Sequence, residues 1–288
     1  MGAWVDGTAY PDTGPRRNRD AERGLLAGVA PIPTRRALTE RLQLAGFVAA
    51  DEEAAELVDA AGGDPERLDA LVARRLTGEP LAWITGWAEF CDLRLQVHPG
   101  VYVPRWQTEQ IARRAVERLP DGGLAVDLCT GCGAIAAVLA ADRRHARVVA
   151  SDLDERAVTC ARANGVEAHA GDLFAPLPDD VRTGRAVDLV VAVVPYVPTG
   201  ALPLLPHDTL TFESTRPYDG GPDGTDVLRR VVAEAATVLR AGGALVLELG
   251  GDEADAVGDD LSAHGYADVT VLTDEDGDVR GVEATLAR

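Results

Sequence analysis

The stretch Val126-Asp127-Leu128-Cys129-Thr130-Gly131-Cys132-Gly133 decides how this chain is read. The apolar run from Leu124 to Leu128 has the length of a buried strand, and the alanine-rich segment from Ala134 predicts a helix. Strand, glycine turn and helix in that order make a ligand cradle. Glycine lets backbone approach a bound molecule with no Cβ in the way, and the first helical turn leaves N–H groups unpaired. The acidic residue before the glycines sets the charge of the ligand. A carboxylate repels a phosphate but suits an amino-acid ammonium. S-adenosylmethionine carries such an ammonium and no phosphate, so the stretch points to a methyl-donor site.

Outward from this stretch, strands and helices alternate. Strands are predicted near 124–128, 148–151, 166–170, 187–194 and 243–249, and helices near 134–141, 155–164, 225–239 and 253–264. Such alternation implies a parallel sheet covered on both faces. The tail, Ala267–Leu272 and Val279–Leu286 around Glu275-Asp276-Gly277-Asp278, reads as a terminal hairpin. A mostly parallel sheet that ends in an antiparallel strand suits a methyltransferase better than a dehydrogenase.

The expected fold is therefore α/β, a seven-stranded Rossmann-like class I methyltransferase sheet with a small N-terminal helical domain. Residues 1–30, rich in Gly, Pro, Arg and Asp, read as a flexible leader. Residues 31–82 form the helical domain. Its helices run from Thr34 to Ala45, from Asp51 to Ala61, and onward from Pro65 behind an Asp64 N-cap. Residues 83–106 form a linking hairpin in which Trp87–Phe90 and Leu93–Val97 flank a Cys91-Asp92 turn. Residues 107–288 form the methyltransferase domain.

Composition narrows the function. The 288 residues carry a net charge of −19, and every basic side chain apart from histidine is arginine. Direct nucleic-acid binding is not expected, because phosphate contacts need clustered basic residues. The acidity is densest at 51–69 and 252–278 and reads as solvated surface. No run of about 18 apolar residues suggests a membrane span. The opening Met1-Gly2-Ala3-Trp4-Val5-Asp6 resembles neither a myristoylation nor a secretory signal, so a cytoplasmic location is expected. The pair Cys129 and Cys132 lacks the second pair that would complete four zinc ligands, so no metal is expected.

Gly131-x-Gly133-x-x-Ala136 followed by Asp152 also matches a dinucleotide fingerprint. In either reading Asp152, at the end of the second strand, accepts from ribose hydroxyls. Asp127 and Gly171-Asp172-Leu173-Phe174 favour the methyl donor. Asp172 can accept from an adenine amino group and Leu173 can pack on the ring. The expected donor-binding residues are thus Asp127, Cys129, Thr130, Gly131, Cys132, Gly133, Asp152, Asp172 and Leu173. The fourth strand runs into Val193-Val194-Pro195-Tyr196, whose place at a strand's carboxyl end faces the donor methyl.

Over residues 35 to 288 the chain resembles the HemK/PrmC family, the protein-(glutamine-N5) methyltransferases that act on peptide release factors. The resemblance is carried by Glu79-Pro80-Leu81, Gly86-x-Ala88-Glu89-Phe90, Val103-Pro104-Arg105, Thr108-Glu109, Asp127 through Gly133, Glu213, and Asp219-Gly220-Gly221-x-Asp223-Gly224. The wording Trp87-Ala88-Glu89-Phe90-Cys91 is nearest to a PrmC-related branch of uncertain substrate. The resemblance implies S-adenosylmethionine as cofactor, a protein glutamine as acceptor, Val193, Val194, Pro195 and Tyr196 as substrate-binding residues, and Tyr196 and Glu213 as candidate catalytic residues.

One departure stands out. The family's fourth strand ends in Asn-Pro-Pro-Tyr, where this chain has Val193-Val194-Pro195-Tyr196. The family's Asn orients the substrate amide by accepting its N–H, and valine accepts nothing. A buried donor left unpaired costs about 1–3 kcal/mol. The family's Pro-Arg-Pro-Glu-Thr-Glu is Pro104-Arg105-Trp106-Gln107-Thr108-Glu109 here, and Glu213 is followed by Ser214-Thr215-Arg216-Pro217. The donor side is intact and the acceptor side is altered. The acceptor is a release factor, another protein glutamine, or a small metabolite. Binding of the donor without turnover is the non-enzymatic alternative.

Overall fold

The computed structural model describes residues 35–205 and 207–287, so the leader expected over 1–30 lies outside the described residues. The chain divides into two compact units. Among the described residues, one holds Arg35–Gly86 together with His207–Phe212, and the other holds Trp87–Leu205 and 213–287.

The first unit is helical. Its helices are α1 (Arg35–Leu44), α2 (Ala50–Ala61), α3 (Pro65–Arg75) and α4 (Leu81–Thr85). The Asp64 side chain accepts from the backbone N–H groups of Glu66 and Arg67, which fixes the start of α3 as the Asp-Pro pair predicts. Gly62, in a left-handed conformation, ends α2. Leu38, Leu42, Ala54, Leu57, Val72 and Ile84 meet in its core. Not all of the acidic stretch at 51–69 is solvated. Glu53 forms a two-pronged, largely buried ion pair with Arg75, whose guanidinium also lies 4.0 Å from the centroid of the Phe47 ring. The one-and-a-half turns of α4 are too short to reveal a helical period in sequence.

The second unit opens with an antiparallel hairpin, β1 (Trp87–Phe90) and β2 (Leu93–Gln96). Both turn residues, Cys91 and Asp92, have positive φ, the geometry that lets a two-residue turn follow the strand twist. A single 3-10 turn, Trp106–Thr108, leads into α5 (Glu109–Arg118). Alternation follows through β3 (Leu124–Leu128), α6 (Ala134–Asp142), β4 (Arg147–Asp152), α7 (Glu155–Ala163), β5 (Glu167–Ala170), the short α8 (Asp179–Arg182) and β6 (Val187–Ala192). After a 3-10 segment (Thr199–Leu204) and α9 (His207–Phe212) come α10 (Asp226–Val238), β7 (Leu239–Glu248), α11 (Gly251–Ala263), β8 (Tyr266–Thr273) and β9 (Val279–Leu286).

Seven strands form one sheet in the order β5-β4-β3-β6-β7-β9-β8. The first five are mutually parallel, and β9 runs antiparallel to both β7 and β8, as the terminal hairpin requires. The apolar stripe of α10, Leu228, Val231, Val232, Ala235 and Val238, is buried in the core with Val190, Leu245 and Leu247. The sequence reading of β7 starts late. Leu239 already pairs with Val187, and a bulge before the Ala244–Leu189 pair absorbs the Gly242-Gly243 break. The chain winds outward from β3 to β5, then crosses to β6 and β7. That switch lies between β3 and β6, where open α/β sheets bind ligands at the strands' carboxyl ends. Among the described residues no helix is long and apolar enough to cross a membrane.

Candidate active site

The loop between β3 and α6 is held from below by Asp127. This carboxylate is 2% exposed, and its Oδ2 accepts from the Thr130 hydroxyl at 2.5 Å and from the Ala136 N–H at 3.1 Å. Burial pushes its pKa up to about 7 against the lowering effect of those two bonds. Across the loop, Oδ2 of Asp152 accepts from the Gly131 N–H at 2.9 Å while Oδ1 accepts from the Asp154 N–H. Asp152 is thus a loop-holding carboxylate, and each oxygen keeps a lone pair for a ligand hydroxyl. Cys129 has positive φ, as do Gly131 and Gly133. A Cβ on Gly133 would meet Ala161 Cβ and Val166 Cγ2 at 3.0 Å, whereas one on Gly131 would meet nothing within 4 Å. Gly133 is therefore glycine for packing, and Gly131 leaves open space above the loop. Burial pushes the Cys132 thiol up to about 12 and Cys129 higher still, so both stay protonated and serve the loop as small apolar groups.

Beyond β5 the two residues expected at an adenine part company. Asp172 is half exposed and forms an ion pair with Arg230 at 2.7 Å. Leu173 has positive φ and is 5% exposed. Its side chain lies in the core with Val149 and Phe174, and its carbonyl accepts from Ser151 Oγ. The surface of this edge is Asp172 rather than an open Leu173 platform.

The loop after β6, expected on the acceptor side, has Val193 half buried, Val194 buried and Pro195 and Tyr196 half buried. The later glycine-rich segment clamps it. Val197 N–H donates to Tyr218 O, Gly220 N–H to Val197 O, and Thr199 N–H to Gly221 O. A Cβ on Gly220 would lie 2.8 Å from Pro195 O, and one on Gly224 would lie 2.3 Å from Tyr196 O. Glu213 does not stand alone beside the loop. Its carboxylate takes Arg105 Nη2 at 3.0 Å and the Tyr218 hydroxyl at 2.5 Å. Arg105 also lies 5.0 Å from the Tyr102 ring centroid, and Tyr102 meets Tyr218 edge-on. Glu213 is thereby an organiser of this cluster.

A cavity of about 270 Å3 opens among Tyr102, Arg105, Tyr196, Glu248 and Arg280. It is smaller than the ~300–1,000 Å3 of drug-sized sites, so it admits a side chain or a small molecule. Sequence reasoning missed Tyr102, Glu248 and Arg280. The signal available was Glu248-Leu249-Gly250, an acidic residue that ends the apolar run of β7 at the sheet's ligand-binding edge. Trp106, between Arg105 and Gln107, is 73% exposed.

Known proteins sharpen this picture. The family model described as "Methyltransferase small domain" matches residues 92–196. A release factor glutamine methyltransferase from Moorella thermoacetica is 41% identical over 233 residues, 77% of this chain and 79% of that protein. A 4-amino-L-phenylalanine/4-methylamino-L-phenylalanine methyltransferase from Streptomyces pristinaespiralis is 36% identical over 204 residues, 66% of this chain and 68% of its own. A methyltransferase of known structure from Pyrococcus furiosus shares the fold with a TM-score of 0.51 at 18% identity, covering 75% of this chain and 98% of that one. Sheet order, glycine cradle and these relatives define an S-adenosylmethionine-dependent methyltransferase. More narrowly, the chain belongs to the release factor glutamine methyltransferase family. The cradle suits its donor, with open space above Gly131 and two carboxylates, Asp127 and Asp152, bonded to the loop that surrounds it.

Proposed function

We propose that this cytoplasmic enzyme transfers the donor's methyl group to a nitrogen that carries hydrogen, with the side-chain amide of a release-factor glutamine as its first acceptor. The observation that supports this reading is the clamped loop. Hydrogen bonds and glycine contacts hold Pro195 through Val197 at the carboxyl end of β6, one strand from the donor loop. S-adenosylmethionine supplies an electrophilic methyl on a sulfonium. The chain's task is then to hold donor and nitrogen in line and to exclude water, which supplies up to about 7–11 kcal/mol of the barrier reduction. In this assignment Asp127, Cys129, Thr130, Gly131, Cys132 and Gly133 hold the methionine end, Asp152 the ribose and Asp172 the adenine. Val193, Val194, Pro195 and Tyr196 line the acceptor side, and Glu213 positions Arg105. In this reading the donor is held by the domain over 107–288, the link over 83–106 adds Tyr102 and Arg105 to the acceptor side, and the helices between Arg35 and residue 82 form a separate domain.

A second reading has its own support. Val193 offers no hydrogen-bond acceptor for an amide, and the Streptomyces relative is named for methylation of a small aromatic amine. Labelled S-adenosylmethionine incubated with the chain and either a release factor or 4-amino-L-phenylalanine decides between them. Label on a release-factor glutamine supports the first reading, and label on the arylamine supports the second. Label on neither, with donor binding intact, leaves a donor-binding protein without turnover and refutes both.

A further inference from the structure

Glu248 ends β7, and its side chain belongs to a residue only 8% exposed. Its Oε1 takes the Tyr196 hydroxyl at a long 3.4 Å, while Oε2 has no hydrogen-bond partner among the described residues. Burial raises the pKa of Glu248 above the ordinary carboxylate range and outweighs the lowering by the Thr108 and Tyr196 hydroxyls and the Arg280 guanidinium. None of the three closes a hydrogen bond to Oε2. An unpaired buried carboxylate oxygen costs stability, and native proteins keep few of them.

The same carboxylate lines the 270 Å3 cavity. The two arginines there already have anionic partners. Arg105 pairs with Glu213, and Arg280 pairs with Asp274 at 2.6 Å. Among the described residues that line the cavity, Glu248 alone has a buried side-chain atom with no partner. What the cavity lacks is therefore a hydrogen-bond donor. Tyr196 joins this point to the acceptor loop, since one hydroxyl touches Glu248 while its backbone follows Val193-Val194-Pro195.

We propose that Oε2 of Glu248 accepts an N–H from the nitrogen group of the methyl acceptor, the work that Val193 cannot do. This rests on the reading above that the acceptor nitrogen carries hydrogen. An amide NH2 and a primary amine share that chemistry, and Glu248 takes either. A neighbouring strand thus supplies from a carboxylate what the side chain of Val193 at the end of β6 cannot supply.

Two probes test this and separate the sources. N-acetyl-L-glutamine amide stands for a protein glutamine and aniline, neutral near pH 7, for a small aromatic amine. Each is titrated calorimetrically into the full chain saturated with S-adenosylhomocysteine, so that no turnover intervenes. At least one probe binds the unaltered protein. Glu248→Leu weakens that binding about tenfold or more, the scale of one hydrogen bond to a charged group. Affinity for S-adenosylhomocysteine stays within about twofold. Glu248→Gln, which keeps the shape and a carbonyl acceptor, guards against misfolding: it weakens the bound probe less than Glu248→Leu does. Binding of neither probe to the unaltered protein, or equal binding by it and Glu248→Leu, overturns the proposal. If Glu248→Leu loses the probe but the unaltered protein methylates neither acceptor, the cavity assignment stands and the proposed function fails.

Discussion

Asp127 shows how a single side chain can carry both the architecture and the chemistry of a loop. Its carboxylate fixes Thr130 and the second residue of α6's first turn after Ala134, yet it does so without solvent. Its pKa near 7 lies above the roughly 3.9 of an unfolded aspartate. Between about pH 4 and 7 the folded state therefore binds the extra proton. The stability this group contributes is full below about pH 4 and is lost as pH rises through 7. Asp127→Asn removes the titration and keeps an acceptor oxygen. Thermal unfolding at a series of pH values should show the variant gaining on the unaltered protein from pH 4 to pH 7.5; parallel profiles would contradict this. Asp152 makes the complementary case for the donor. Asp152→Ala removes the anchor of the Gly131 N–H and the expected ribose partner together. Calorimetry should read a loss of about 1–3 kcal/mol in S-adenosylmethionine binding. Unchanged affinity would remove Asp152 from the site.

At the scale of elements, the clamp on the loop after β6 is the part most open to a clean test. Gly224 has positive φ, and a Cβ there would meet Tyr196 O at 2.3 Å. Gly224→Ala should displace the loop and lower kcat/KM at least about tenfold, while donor affinity, which rests on the β3–α6 loop, holds. A fall in both together would place the clamp's role elsewhere. The regular elements were legible in sequence because their periods were long enough to see. The stripe of α10 and the β3 run into glycines both survive intact in the structure. Helix α4 was hidden because five residues, Leu81–Thr85, show no period. The cavity was hidden for another reason. Tyr102, Tyr196, Glu248 and Arg280 come from distant parts of the chain and share no motif, so only the sheet order brings them together. Leu173 shows a third limit: an apolar residue beside an acidic one reads equally as a ring platform or as core, and in the structure its side chain is 5% exposed within the core.

Across the whole molecule, charge and architecture agree on the kind of partner. A net charge of −19 suits a protein or small-molecule acceptor better than a nucleic acid. Much of the arginine is already engaged: Arg147 holds Glu167 and Asp180, Arg230 holds Asp172, and Arg114 holds Glu283. In the second unit Asp127 and Asp152 hold the β3–α6 loop, and the loop after β6 begins with Val193, whose side chain accepts no hydrogen bond. The central claim is that the carboxyl ends of β6 and β7 set which nitrogen is methylated. The direct measurement is the ratio of release-factor methylation to 4-amino-L-phenylalanine methylation, taken for the unaltered chain and for Val193→Asn with Val194→Pro. Introducing an amide acceptor and a loop proline should raise that ratio about tenfold or more, with donor affinity unchanged. An unchanged or lower ratio would contradict the claim.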